Sequence, residues 1–277
     1  MTLRLRSGRA VPLVLIGPAC GYLLIFFVFP LARVLLLSVT DPRPSLMHFT
    51  RLFHGTLYLR TLLTTFETAL IVTVCCLLLG YPLAYAMSQG PRRLGLVLLA
   101  IVAISFWTSF LVRTYAWMVI LGSSGPLAAA SAMLGLPAPA VLFTTFSSDL
   151  GMVHILLPYM VMAVYAVMQR IEPAYRRAAS SLGAPPFAAF REVFLPLSLP
   201  GVINGCLLVF TICLGFYVTP ALLGSPRDMM ISQLIAQQIE DLLDWGFASS
   251  LSVVLFVATA AVLLVYNRLF GIQRLWN

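Results

Sequence analysis

Three ionisable side chains, Glu67, Arg113 and His154, stand inside runs of sequence that are otherwise apolar. An arginine near the centre of a bilayer costs about 2.5–3.5 kcal/mol on insertion scales, so Arg113 needs a partner or water. Glu67, in the outer third of its own run, is the acid placed to serve; the two either form a buried structural pair or line a path for a solute. His154 has no second histidine or acid at helical spacing, which fits a packing hydrogen bond better than a ligand set. Tyr115, Trp117, Phe216 and Tyr217 flank these positions, either as helix packing or as faces that attract a cation through their rings, and Thr219 is a further candidate on the path. Glu240, Asp241 and Asp244 cluster just before Trp245, as a solvated loop or as a rim that meets basic residues or holds a departing cation. None of this is bond-making chemistry. The chain has no HExxH, no phosphate-cradling G-x-x-x-x-G-K-[ST] and no Ser/His couple within one apolar run, which argues against a membrane-embedded enzyme.

The elements that must position these groups follow from composition. Of 277 residues, 61% are hydrophobic and 9% charged, with mean hydropathy +0.99; a soluble domain carries about 25% charged residues. The chain belongs in lipid. Its 17 basic residues are all arginine, and no nucleic-acid-binding pattern accompanies the net charge of +8. Cys20, Cys75, Cys76, Cys206 and Cys213 all lie in apolar runs without a CxxC, as buried small hydrophobes rather than disulfides or metal ligands.

Apolar runs predict an all-α membrane protein with six transmembrane helices, roughly 10–39, 62–87, 94–121, 150–168, 202–223 and 247–270, each near or above the roughly 20 residues that a bilayer requires. Asp41–Arg60 reads as a polar loop, and Leu127–Leu136 as a short interfacial helix. Thr219-Pro220 is expected to kink or interrupt the fifth span, which lipid tolerates mainly where backbone faces a cavity. Arg4, Arg6, Arg9, Arg92, Arg93, Arg170, Arg176, Arg177, Arg191, Arg268 and Arg274 fall on the side of the termini, against Arg43, Arg51, Arg60 and Arg227 opposite. The positive-inside rule then makes both termini cytoplasmic.

The longest polar interval between spans is 172–201, EPAYRRAASSLGAPPFAAFREVFLPLSLPG. Pro173 suits a first helical turn, Gly183 a helix end, and Pro186 the start of a second short helix. Phe187, Phe190 and Phe194 fall at three- and four-residue spacing and are expected to share a face, with Arg191 and Glu192 at its edge. Pro196 and Pro200 are expected to close this helix before the fifth span.

This interval resembles the cytoplasmic EAA coupling loop of permease subunits in binding-protein-dependent ABC importers. That pattern is Glu-Ala-Ala, three residues, Gly, nine residues, Ile or Val, one residue, Leu-Pro. Ala178, Ala179, Gly183, Val193, Leu195 and Pro196 match it with every spacing kept, and Arg177 stands where the family has glutamate. Tyr81-Pro82-Leu83-Ala84-Tyr85, Arg113-Thr114-Tyr115-Ala116-Trp117, Thr219–Gly224 and Trp245–Leu251 are similar to segments of the spermidine/putrescine branch. Importers of phosphonates, opines, iron and amino-acid derivatives share similar segments. The resemblance implies a type I importer permease (MetI-like) fold in a bacterial inner membrane, a multi-pass chain with five core spans and an extra first helix, and a small periplasmic solute, foremost a polyamine. It also implies a second permease subunit, two cytoplasmic ATPase subunits that hold the ATP and magnesium, and a periplasmic solute-binding protein. The chain itself would hold no cofactor or metal. A stand-alone carrier is the other class to weigh; it would favour inverted repeats or several intramembrane acids, and neither is evident.

Overall fold

Small residues recur along three long helices at three- and four-residue spacing, and that pattern sets how closely they approach. A computed structural model describes residues 10–41, 43–137 and 139–270; Arg4, Arg6, Arg9 and Arg274, used above for topology, lie outside the described residues. In chain order the helices are α1 (Ala10–Leu23), α2 (Phe29–Thr40), α3 (Met47–His54), α4 (Thr56–Gln89), α5 (Arg92–Trp107), α6 (Phe110–Leu121) and α7 (Pro126–Met133). There follow α8 (Thr145–Met168), α9 (Pro173–Ser181), α10 (Pro186–Ala189), α11 (Leu195–Leu214), α12 (Val218–Leu223), α13 (Ile231–Glu240) and α14 (Trp245–Phe270). Six helical segments among the described residues are long and apolar enough to cross a membrane. The cysteines are free.

The described residues divide into two compact units, one of residues up to Gly55 with Ile235–Val257, the other of Thr56–Leu234 with Ala258–Phe270. In the first, α1 and α2 are joined through a π-helical turn at Leu24–Val28, and Tyr22 to Phe29 present exposed apolar side chains, as a helix bathed in hydrocarbon does. The expected polar loop 41–60 instead holds α3 and the start of α4, because Leu52 and His48 give α3 a face to bury. His48 Nε2 lies 2.7 Å from the Asp41 carbonyl oxygen. Gly246 permits this approach, since a Cβ there would fall 2.6 Å from His48 Nε2.

The second unit is built on α4, α8 and α11. Thr65, Ala69, Val72, Cys76, Gly80 and Ala84 form the buried stripe of α4; Ser198, Gly201, Gly205, Val209 and Cys213 form that of α11. Between them α8 buries Met152, Leu156, Met160, Val161, Val164 and Met168. A Cβ added at Gly201 would lie 2.9 Å from Val167 Cβ and 3.2 Å from the Val164 backbone. One added at Gly80 would lie 3.0 Å from Met160 Cγ. Without a hydrophobic drive between helices in lipid, such small-residue seams supply the packing that associates them.

Two expected spans are broken. The run 94–121 is interrupted where Thr108 and Ser109 turn extended (ψ 125° and 134°), with the Thr108 hydroxyl directed back at the Ile104 carbonyl. Such a hydroxyl competes with the helical ladder, and an apolar-run reading does not register it. The fifth span breaks at Gly215–Tyr217, before Thr219-Pro220 rather than at it; α12 restarts with Pro220 inside it. In the opposite sense, Pro196 and Pro200 close nothing. From Pro186 to Leu214 the backbone stays helical through a π turn at Phe190–Phe194, where the Leu195 N–H reaches the Phe190 carbonyl. That widened turn makes room for the Pro196 ring, which in a regular turn would collide with a carbonyl.

Gly201→Val meets a backbone atom and a β-carbon rather than a flexible tip. It should destabilise the helix seam by about 1–3 kcal/mol, read as a lowered unfolding temperature of the detergent-solubilised protein, with Gly201→Ala milder. An unchanged transition in the valine variant would show that the seam yields.

Candidate functional site

The two helix breaks open on one cavity of about 530 Å³, lined by Trp107, Ser109, Arg113, Tyr159, Phe216 and Tyr217 among others. Arg113, in the first turn of α6, donates from Nη1 to Ser105 Oγ of α5 at 3.3 Å and so ties the two halves of the interrupted run. Its Nε is buried without a partner. On the other wall the Phe216 carbonyl, freed by the break, accepts from Ser232 Oγ at 2.6 Å. Tyr159 packs edge-on against Phe106, with centroids 5.0 Å apart. The walls are thus aromatic, and the fixed charge is positive.

Of the path residues expected from sequence, this cavity gathers Arg113, Phe216 and Tyr217. Glu67 is not the partner of Arg113: it lines a separate cavity with Arg60, Thr145 and Asp228. Thr219 is fully buried in packing, its hydroxyl 3.0 Å from that of Thr114, which locks α12 to α6. Trp117 Nε1 donates to His154 Nδ1 at 2.9 Å, the packing hydrogen bond expected of that histidine, and Tyr115 is exposed away from the cavity lining. Tyr159 and Trp107 also line the cavity; Trp107 adjoins Thr108, where the helix ends, and Tyr159 lies within the unbroken α8.

The interval 172–201 is a helix, a turn and a second helix. Gly183 takes φ +85°, and the amides of Ala184 and Gly183 bond the carbonyls of Ala179 and Ser180, the paired closure of a glycine-terminated helix. Phe187, Phe190 and Phe194 do not share an exposed face. The π turn rotates Phe190 and Phe194 onto Tyr85 of α4 (centroids 5.5 and 5.1 Å), where Phe194 is fully buried, while Phe187 stays 72% exposed. Arg176 Nη1 lies 3.4 Å from the Tyr85 hydroxyl, so the interval is seated on the C-terminal end of α4. A groove of about 660 Å³ runs between α9 and α10, lined by Arg176, Arg177, Ser180, Pro186 and Phe190. Leu182, 89% exposed, stands with Phe187 and Tyr175 as apolar surface on this unit. Arg177, Ala178, Arg191 and Pro196 are exposed; Ala179, Val193 and Leu195 are half-buried.

The acidic cluster divides. Asp244 pairs with Arg51 at 2.9 Å, and its Oδ1 accepts from the Phe247 amide, capping α14. The Arg51 guanidinium lies 4.1 Å from the Phe247 ring centroid. Glu240 and Asp241 are exposed. Among the described residues no group of three His, Cys, Asp or Glu is placed to hold a metal.

Six helical segments among the described residues are long and apolar enough to cross a membrane, two of them adjoin breaks at one cavity, and a helix–glycine–helix unit is seated on α4. No family model matches the sequence. The chain is 34% identical over 226 residues to the spermidine/putrescine transport system permease protein PotB of Escherichia coli (strain K12), covering 81% of this chain and 82% of PotB. It is 30% identical over 254 residues to the inner membrane ABC transporter permease protein YdcU of the same organism, covering 83% and 80%. A chain of a bacterial alginate ABC transporter, in complex with an alginate pentasaccharide-bound periplasmic protein, superposes with TM-score 0.75 at 17% identity over 93% of each chain. The chain belongs to the ABC transporter permease family that includes PotB and YdcU. It is a multi-pass protein of the inner membrane.

Asp244→Ala removes a helix cap and a partly exposed ion pair, together about 1–2 kcal/mol, whereas Glu240→Gln and Asp241→Asn should each stay within about 0.5 kcal/mol. Thermal unfolding of the three variants checks this ordering.

Proposed function

We propose that the chain forms half of the translocation path of an ATP-driven importer, and that the solute is a polyamine such as spermidine or putrescine. The observation that carries this reading is the likeness to PotB across four fifths of both chains. The helix–glycine–helix unit adds the mechanical part. Exposed Leu182 and Phe187 on a unit braced by Tyr85 need an apolar groove on a partner, and an ATPase subunit supplies one together with the ATP and magnesium that this chain has no motif to hold. Two such ATPases, a second permease and a periplasmic binding protein complete the assembly; the alginate transporter is seen with a periplasmic protein, which supports the last.

With the arginine-rich end cytoplasmic, ATP-driven closure pushes on α9–α10. Because the backbone is helical without interruption from Pro186 to Leu214, the push reaches the break at Gly215–Tyr217 as a rigid-body tilt. Movement at one end of α11 is thereby converted into opening or closing of the cavity at the other.

Proteoliposomes carrying the whole importer should take up labelled spermidine or putrescine only with ATP and binding protein. Failure to move either, with another solute class moved instead, would overturn the polyamine reading. Gly183→Val should leave the protein in the membrane but uncouple hydrolysis from uptake, because a β-branched residue resists the left-handed conformation by about 1–2 kcal/mol or more. Wild-type uptake by this variant would refute the coupling role.

A further inference from the structure

The cavity that holds Glu67 differs in kind from the one that holds Arg113. It encloses about 420 Å³ between the first turns of α4, the start of α8 and the segment before α13, and Arg60, Thr64, Glu67, Thr68, Thr145 and Asp228 line it. Asp228 accepts a hydrogen bond from the Thr145 hydroxyl, which fixes its carboxylate. Asp149, one helical turn beyond Thr145, lies within electrostatic reach of both Glu67 and Asp228, and its Oδ1 is buried without a partner. Thr68 is only 5% exposed, and its hydroxyl has no hydrogen-bond partner among the described residues. A hydroxyl on a cavity wall, left unmatched by the protein, is free to bond a group that enters the cavity.

Two carboxylates line the cavity and a third stands close by, against the single cation Arg60. No three of these groups converge to metal-binding distance. Carboxylates spread around a polar cavity suit a donor-rich, extended cation better than a compact ion. A primary ammonium has three N–H donors and no acceptor, and the Glu67 and Asp228 carboxylates and the Thr68 hydroxyl on the cavity wall all offer it acceptor oxygens. The Arg113 cavity, by contrast, presents a fixed positive charge to any cation that enters it.

We infer that the Glu67–Asp228 cavity is the cation-holding site of this permease, taking an alkylammonium end of the solute, and that the Arg113 cavity does not bind that group. This inference rests on the polyamine reading. It also deepens it, by placing recognition of the solute's charge on this chain as well as on the binding protein.

The test uses the complete importer in proteoliposomes, at limiting and at saturating binding protein, with spermidine and putrescine as probes. Glu67→Gln and Asp228→Asn should each raise the concentration for half-maximal uptake by about ten-fold, the loss of one charge-assisted hydrogen bond. The effect should be larger for spermidine, with ATP hydrolysis stimulated by loaded binding protein retained. Thr68→Val, nearly isosteric, should cost a few-fold, and Glu67→Asp should recover part of the loss, which keeps the test alive if Asp228→Asn disturbs the fold. If wild type transports the polyamines and all of these variants match it, the cavity is not the site although the polyamine reading stands. If wild type transports neither, the polyamine reading itself has failed. A defect that appears only at low ionic strength and is abolished by more binding protein would mean that the carboxylates dock that protein instead, and would overturn the assignment.

Discussion

In hydrocarbon, a backbone N–H or C=O has no water to turn to, and leaving one unmet costs several kcal/mol. Every departure from regular helix in this chain therefore has to be accounted for locally. At Thr108-Ser109 the chain runs beside a cavity, with the Thr108 hydroxyl turned to a carbonyl and Arg113 reaching back across the gap to Ser105. At Gly215–Tyr217 the Phe216 carbonyl is met by Ser232. Both irregular segments open on the same space, so the requirement that forbids broken backbone in lipid also gathers the breaks at one cavity.

The same requirement explains why the unit at 172–201 runs into the fifth span without a hinge. A proline pair that ended the second helix would have left a hinge between the unit and the fifth span. The π turn at Phe190–Phe194 keeps the rod continuous instead, and the Tyr85–Phe190–Phe194 cluster braces its base against α4. The glycine seam between α8 and α11 sets those helices at close range, where a tilt of one displaces the other.

Charge is divided along the second unit. One cavity carries Arg113 among aromatic rings, the other carries Glu67 and Asp228 among threonines. An arginine without an acid partner in the first and unpaired carboxylates in the second are each costly in a low-dielectric setting unless water or a ligand attends them. Keeping them apart preserves two electrostatic environments that a direct Glu67–Arg113 pair would have cancelled.

Much of this was legible in the residues taken in order. Composition set the protein in a membrane, apolar runs located its spans, and the spacing of Ala178, Ala179, Gly183, Val193 and Leu195-Pro196 marked the helix–glycine–helix unit, because a glycine-closed helix is a local property of a few consecutive residues. Only tertiary structure decided which intramembrane groups meet. Glu67 and Arg113 paired plausibly by depth alone, yet depth says nothing about azimuth, and the rotation of α4 and α6 about their axes sends the two side chains into different cavities. Asp244 looked like one of three equivalent acids until Arg51, far away in sequence, and the amide of Phe247 claimed it. Hydroxyl pairs and a π turn broke one expected span and joined another expected break, since both depend on hydrogen bonds whose partners are chosen by packing rather than by hydrophobic period.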